Sequence, residues 1–310
     1  MFQLYILKKA EKIPQIINSI TELHRLLSLP KPLHPLITLI NHSEIQSITT
    51  ESNYSIAINF YNITIKKDFQ GQTKYGRNYY DFSEGTMCFL SPNQVMSVDK
   101  DGDRNIDGWS LLFHPDLIRN YPLNKSIKNY GFFSYEANEA LHLSDREEAI
   151  IETLVKNIEQ EYQSNIDHYN QDIIVSNLEL LLNYSNRFYN RQFITRKMAN
   201  NDLLVKFENI LLTYFEDNLH VGLPTVNDIA KDLNVSPNYL SDMLRTVTGQ
   251  NTQQHIHSQL IEKAKQILTT TNLSVSEIAY RLGFEYPSSF NKLFKAKTNL
   301  SPLEFRQSFN

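Results

Sequence analysis

Between residues 37 and 113 apolar and polar side chains alternate over short stretches, the period of two that a half-buried strand requires. Ile56, Ile58 and Phe60 fall on one face of a strand. The pattern slips phase at Tyr61-Asn62 and resumes with Ile63 and Ile65, which predicts a bulge or a turn there. Trp109, Leu111 and Phe113 alternate in the same way. Gly71, Gly76, Glu84-Gly85, Pro92-Asn93 and a charged loop at residues 100–105 punctuate these stretches. Short strands with regular punctuation predict a sandwich or small barrel. Ahead of them, residues 13–29 read as a short helix that leaves through Pro30, Pro32 and Pro35.

The period changes at Ser144, where Ser-Asp-Arg-Glu forms a capping box with Glu147 three residues after the cap. Ile150, Ile151, Leu154, Val155 and Ile158 follow at helical spacing. A second run carries Ile173, Ile174, Leu178, Leu181 and Leu182. A polar turn at residues 165–170 joins them into a helical hairpin. Its apolar stripe packs on its own barrel or against a second copy. Arg187, Arg191, Arg196 and Lys197 then line a polar stretch through Asn201, which reads as the boundary between domains.

From Leu203 onward the pattern is helical throughout, and it repeats. Residues 228–235 (DIAKDLNV) echo residues 277–284 (EIAYRLGF), with Ala230 and Ala279 offset by 49 positions. Leu240, Met243 and Leu244 match Phe290, Leu293 and Phe294 at an offset of 50, so the second turn is one residue longer. Each copy has the parts of a helix-turn-helix. A small residue, Ala230 or Ala279, sits where two helices cross. Four positions on, Asn234 or Gly283 tolerates a left-handed backbone, and an apolar plug, Val235 or Phe284, follows. Ser236 caps the next helix with Pro237 in its first turn, and Pro287 opens the corresponding helix in the second copy.

Between the copies, residues 252–270 form one helical run with Ile256, Leu260, Ala264, Ile267 and Leu268 on one face. About eighteen residues at ~1.5 Å rise span ~27 Å, near the ~34 Å between successive major-groove faces of a duplex. One chain can therefore set both second helices, residues 237–246 and 287–297, on one side of DNA.

These residues resemble the AraC/XylS family of transcriptional regulators. The resemblance covers residues 203–309 and rests on the double helix-turn-helix, the connecting helix, and a closing run through Gly283-Phe284, Phe290, Phe294-Lys295, Ser301-Pro302 and Phe305-Arg306. It implies a cupin-like sensor barrel and a dimerising hairpin ahead of the DNA-binding part, and Gly85-Thr86-Met87-Cys88-Phe89-Leu90-Ser91-Pro92-Asn93 looks like a strand and turn of such a barrel. It also implies base readers on the two recognition helices. The matching positions are Asn238, Ser241, Asp242 and Arg245 in the first, and Pro287, Ser288, Asn291 and Lys292 in the second. Arg245 and Lys292 can donate to guanine, Asn238 and Asn291 can pair with adenine, and Asp242 can accept from cytosine. Ser289 and Lys295 suit phosphate contacts. Contact with RNA polymerase is implied by the resemblance alone.

Composition changes the picture only locally. The 310 residues are 41% hydrophobic and 21% charged with a net charge of −4, which alone announces no nucleic-acid binder. Residues 201–310 carry ten Lys and Arg against eleven Asp and Glu, a net of −1. Residues 225–250 are at −1, whereas residues 288–306 are at +3 with Lys292, Lys295, Lys297 and Arg306 against Glu304. The second unit is therefore expected to supply most of the affinity and the first to tune specificity. A weakly basic chain also needs two copies to accumulate phosphate contacts. No apolar run approaches the ~20 residues that span a membrane, and the apolar start precedes its lysines, unlike a secretory leader. A cytoplasmic protein is expected, with Cys88 as its one thiol.

The barrel offers little chemistry. Where a cupin metal site would place its ligands around Gly85, the chain has Thr73, Lys74, Asn78, Ser97 and Val98. His255 and His257 lie two apart on a helix and face different ways. Cys88, between Met87 and Phe89, reads as a buried structural thiol. Tyr75, Tyr79, Tyr80, Phe82, Phe89 and Trp109 would line a pocket for a small organic or sugar-like effector, or fill the barrel themselves.

The expected molecule is an α+β chain. Residues 1–143 form a cupin-like β-barrel sensor, residues 144–200 a dimerising hairpin and linker, and residues 201–310 an all-α DNA-binding domain. Its expected partners are double-stranded DNA, a second copy, RNA polymerase and an effector of unknown identity, with no catalytic residue, metal or cofactor. The alternative is a cupin-type enzyme fused to an autoregulatory DNA-binding domain.

Overall fold

The computed structural model describes residues 15–45, 54–67, 69–75, 78–82, 85–98, 107–136, 139–164, 167, 169–195, 197–216 and 222–308. Their contacts divide the chain into two units, Met1–Gln192 and Phe193–Asn310.

In the first unit, runs rich in Ile, Thr, Phe and Val form strands. They are β1 (Gln15–Ile17), β2 (Ile37–Asn41), β3 (Tyr54–Ile58), β4 (Tyr61–Lys67), β5 (Phe69–Tyr75), β6 (Asn78–Phe82), β7 (Thr86–Leu90), β8 (Val95–Val98), β9 (Asp107–Phe113) and β10 (Leu141–His142). The order β10-β7-β4-β9-β2 makes one antiparallel sheet; β1-β3-β8 makes a second, and β5 pairs with β6. The phase slip at Tyr61-Asn62 is a corner: the chain leaves β3 in one sheet, turns at Asn59-Phe60 and enters β4 in the other.

Each strand of the five-stranded sheet sends alternate residues to opposite faces. On its inner face Ile40, Leu90 and Leu112 pack into one core with Ile56 and Ile58 of the second sheet, Phe60, Ile17 of β1, Ile20 and Leu23 of α1 (Ile20–Leu26), and Leu27 at its C-cap. On its outer face Ile63, Ile65, Met87, Phe89, Trp109, Leu111 and Phe113 are all buried. Phe89 meets Phe132, Phe133 and Tyr189, and Phe132 stacks on Tyr189 with ring centroids 5.5 Å apart. Two of the aromatics expected to line a pocket therefore belong to this outer layer: Phe89, and Trp109, whose indole N–H donates to Glu152 at 3.0 Å. The side chains of Thr73, Lys74, Tyr75, Asn78, Tyr79, Tyr80, Phe82, Ser97 and Val98, and the loop at residues 100–105, lie outside the described residues.

The helical hairpin covers the outer face. Beyond the short α2 (Leu123–Ser126), it consists of α3 (Asp145–Gln163) and α4 (Asn170–Thr195). Ser144 and Glu147 form the expected capping box, and the Arg191 Nε–H donates to Glu147 at 3.0 Å, so this carboxylate also ties α4 to the start of α3. Lys67, at the end of β4, sits between Glu148 and Glu152 of α3 at 2.9 and 2.7 Å. Those two carboxylates raise its pKa to about 12, although burial pulls the other way. At the sheet edge, the free Leu39 N–H of β2 donates to the Tyr162 hydroxyl at 3.3 Å. Ile151, Leu154, Val155 and Ile158 of α3 and Ile174, Leu178, Leu181 and Leu182 of α4 are buried within the unit. Tyr169, just before α4, and Ile173 and Leu180 within it, at 70%, 43% and 46% exposure, line one outward stripe.

Two readings of the pattern are corrected. Residues 13–29 are not one helix. Ile16-Ile17, a β-branched pair, joins β3 in parallel as β1, and Ser19 caps α1 by accepting from the Glu22 N–H. The polar stretch after Leu182 is helical, although the division between the two units falls within it: Arg187 and Arg191 lie within α4, and Lys197 begins α5 (Lys197–Glu216). No glycine or proline lies between residues 170 and 216, so the sequence offers no strong helix breaker there. Arg196 lies outside the described residues.

The second unit is all helical among its described residues: α5, α6 (Val226–Asp232), α7 (Pro237–Thr248), α8 (Thr252–Thr270), α9 (Val275–Arg281), α10 (Pro287–Thr298) and α11 (Pro302–Gln307). The molecule is an α+β protein.

Candidate nucleic-acid interface

Local signals start and stop these helices where the repeat requires. Thr225 with Asp228, Asn251 with Gln254, Ser274 with Glu277 and Ser301 with Glu304 form capping boxes at α6, α8, α9 and α11. Ser236 caps α7 by accepting from the Tyr239 N–H. The corresponding residue before α10 is Tyr286, which makes no side-chain cap. Within each turn the left-handed residue is the one expected, Asn234 at φ 55° and Gly283 at φ 87°.

Helix crossing follows from small residues. Ala230 and Ala279 are buried, and the N–H groups of Val235 and Phe284 donate to their carbonyls at 3.0 Å, closing both turns alike. Leu240, Met243 and Leu244 bury one side of α7, and Phe290 and Phe294 bury one side of α10. The connecting α8 packs Leu260, Ile261, Ala264, Ile267 and Leu268 against Ile278, Ala279, Leu282, Phe284, Phe290 and Phe294 of the second unit. Its other end meets α5, where Phe207 is buried with its ring 5.5 Å from His255.

The opposite sides of α7 and α10 hold the candidate readers. On α10, Ser288, Ser289, Asn291, Lys292 and Lys295 are all exposed, with Pro287 half-buried at its start. They form one polar surface across from the Phe290 and Phe294 anchors. On α7 the candidates are less free. Asn238 is exposed, but the Ser241 hydroxyl lies 2.9 Å from the buried Thr252 hydroxyl, joining α7 to the start of α8. Arg245 donates to Asp242 at 2.7 Å, so the cation and anion of this helix face each other. Lys292 and Lys295 occupy the equivalent positions on α10, where both charges are positive.

Three features escaped the sequence pattern. Arg306, counted above toward the +3 of residues 288–306, donates from Nε to the Leu268 carbonyl and from Nη2 to that of Leu273, at 3.0 and 2.7 Å. It ties α11 to the C-terminal end of α8. Tyr280 and Tyr286, 59% and 60% exposed, flank the second turn. Lys231 and Ser236 stand at the matching positions of the first copy, so aligning the two copies would have flagged both tyrosines. Among the described residues, no three or more His, Cys, Asp and Glu are grouped to hold a metal ion, and no helix is long and apolar enough to cross a membrane.

Family models match both halves of the chain: a helix-turn-helix domain over residues 229–308 and an AraC-like ligand binding domain over residues 70–165. The chain belongs to the AraC family of transcriptional regulators. Among its AraC-family relatives, the transcriptional activator RhaS of Enterobacter sp. strain 638 is 25% identical over 252 residues, covering 80% of this chain and 85% of that protein. The raffinose operon regulatory protein RafR of Pediococcus pentosaceus is 33% identical over 100 residues, 32% of this chain and 36% of RafR. The chain thus spans little more than a third of that relative. A solved C-terminal domain of the response regulator YesN from Fusobacterium nucleatum is 31% identical, covering 32% of this chain and 93% of that one at a TM-score of 0.29. The chain is thus an AraC-type transcriptional regulator with a helix-turn-helix DNA-binding domain that takes in most of α6 to α11 and an AraC-like ligand-binding domain ahead of it.

Proposed function

We propose that this AraC-type regulator binds two adjacent major-groove segments as a homodimer and changes its DNA affinity when an effector occupies its N-terminal unit. The observation that carries the proposal is the solvent-facing row Ser288, Asn291, Lys292 and Lys295, fixed by Phe290 and Phe294 beneath it. Asn238, Arg245, Ser288, Asn291 and Lys292 read bases, Pro287 leads α10 into the groove, and Ser289 and Lys295 hold phosphates. Asp242 acts on Arg245, and Ser241 acts on the angle between α7 and α8.

The three-part division into residues 1–143, 144–200 and 201–310 belongs to the same proposal. The hairpin joins two copies through the stripe of Tyr169, Ile173 and Leu180, an apolar surface on an otherwise polar helix face. The protein works in the cytoplasm, performs no catalysis, and acts on transcription by contacting RNA polymerase.

Selection from random duplexes tests this reading. Full-length protein should enrich a site spanning two groove segments, or four for a dimer, with affinity falling steeply as salt rises. Binding with no enriched sequence, or no binding at any salt, would overturn it.

A further inference from the structure

The inner face of the five-stranded sheet changes character along its strands. In one row Asn62 of β4 lies between the core residues Leu90 and Leu112. In the next, Thr64 lies between Cys88 and Ser110, with Ile40 beyond Ser110, and in the last Lys66 lies between Thr86 and Gly108, with His42 just past β2. Strand pairing sets Thr64 opposite both Cys88 and Ser110. These are the middle strands of the sheet, where an inward polar group is costly unless it meets water, a partner or a ligand. Lys66, Cys88, Ser110 and His42 all remain partly exposed there.

The groups are already aligned. The Thr64 hydroxyl donates to Asn62 Oδ1 at 3.0 Å and lies 2.9 Å from the Ser110 hydroxyl, which lies 2.9 Å from His42 Nε2. Burial, aided by Lys66, lowers the His42 pKa to about 4, with Asp107 pulling the other way, so the ring is neutral near pH 7. Burial pushes the Cys88 thiol up, against the pull of Lys66. Lys66 follows Thr64 by two positions on β4 and so shares its face of the sheet, opposite Thr86 and Gly108. Asp107, exposed at the end of β9, accepts from the Gly108 N–H.

Two adjacent lysines make the asymmetry plain. Lys67 faces outward and is held by two carboxylates of α3. Lys66 faces inward, and among the described residues it has no ion pair. A partly buried cation with no ion pair among the described residues can receive an anion.

We infer that this patch binds a small hydroxylated carboxylate or phosphate, with the anionic group on Lys66 Nζ and the hydroxyls along Thr64, Ser110 and His42. The inference rests on reading the N-terminal unit as the effector-sensing part. His42, Asn62, Thr64 and Lys66 lie outside the matched ligand-binding segment, which begins at residue 70.

The test uses full-length wild type, Lys66→Met and Lys66→Arg, melted at constant ionic strength in chloride and with inorganic phosphate, gluconate, glucose 6-phosphate or neutral glucose. Alkylation of Cys88 by N-ethylmaleimide, the chain having no other thiol, reports on the inner face and separates it from anions bound elsewhere. At least one anion should raise the wild-type melting temperature. At about ten times its Kd it should slow alkylation about tenfold, because roughly a tenth of the sites stay open. Glucose should do neither, Lys66→Arg should retain both effects, and Lys66→Met should lose both while melting no lower than wild type in chloride. The inference is overturned if no anion acts, if glucose acts alone, if Lys66→Met still responds, or if it melts well below wild type in chloride. DNA binding measured on the same samples keeps the two readings apart. Intact DNA binding without an anion response sinks this inference only, whereas absent DNA binding sinks the regulator.

Discussion

A Cβ placed on Gly283 would stand 2.5 Å from the carbonyl oxygen of Gly222, nearer than real Cβ contacts come. The second helix-turn-helix therefore folds against the backbone that leads into the first. The Tyr214 hydroxyl of α5 donates to that same carbonyl at 2.8 Å and holds it in place. Gly283 is also left-handed at φ 87°, so a side chain there meets strain and collision together. We expect Gly283→Ala to cost about 2 kcal/mol or more in chemical denaturation. Asn234, the matching residue, already tolerates φ 55°, and Asn234→Gly should change stability by less than about 1 kcal/mol. Equal effects at the two positions would refute this account.

The two recognition helices differ in what their charges face. Arg245 is paired with Asp242, whereas Lys292 and Lys295 at the matching positions have no acid between them. Charge reversal at Lys292 and Lys295 should therefore weaken DNA binding far more than reversal at Arg245. Each lost phosphate contact should lower the salt slope by about 1. Asp242→Asn should release Arg245 and tighten binding to unselected duplexes. Comparable losses for Arg245 and the two lysines in fluorescence-anisotropy titrations would sink the division of labour.

The capping boxes carry a pH signature. Hydrogen bonds from Ser274 hold the Glu277 carboxyl below its ordinary 4.5, and bonds from Ser301 do the same for Glu304. A depressed carboxyl contributes stability that is fully present above the unfolded value and fades as pH falls through the folded one. The acid limb of stability below about pH 4.5 should be shallower in the Glu277→Gln, Glu304→Gln double variant, since glutamine keeps the box without titrating. Urea melts from pH 3 to 7 measure the slopes, and superimposable curves would count against the capping origin.

Removing Arg306 should leave two carbonyls, one in the last turn of α8 and one in the connector to α9, without their charged donor. Arg306→Ala is expected to destabilise the protein by about 2 kcal/mol. The conservative change Arg306→Lys should not restore what is lost, because one ammonium lacks the planar fork that reaches Leu268 and Leu273 together. In denaturant titrations, a wild-type midpoint for Arg306→Lys would show that charge alone matters.

What could be read ahead of the coordinates was local. Ser144 with Glu147, Ser236 before Pro237, and Asn234 and Gly283 in their turns each act within a few residues, and the repeat made the second copy check the first. What could not be read depends on residues far apart in the chain. Ser241 meets Thr252 across a helix junction, and Arg306 meets Leu268 across 38 positions. Ile16-Ile17 is a strand only because β3 lies beside it. Polarity at Arg187 and Arg191 does not signal irregularity, because arginine is a good helix former and Arg191 has Glu147 to hold. Among the candidate readers, the exposed row on α10 follows from the phase set by Phe290 and Phe294, but the engagement of Asp242 with Arg245 does not.

Trp109 is the sole tryptophan of the chain, and its indole N–H is bound to the same Glu152 that receives Lys67. The seam between the sheet and α3 therefore contains a built-in optical probe. Any event on the inner face that shifts β4 or β9 against the hairpin will change the emission of one known ring, with no label attached and no second chromophore of its kind to subtract.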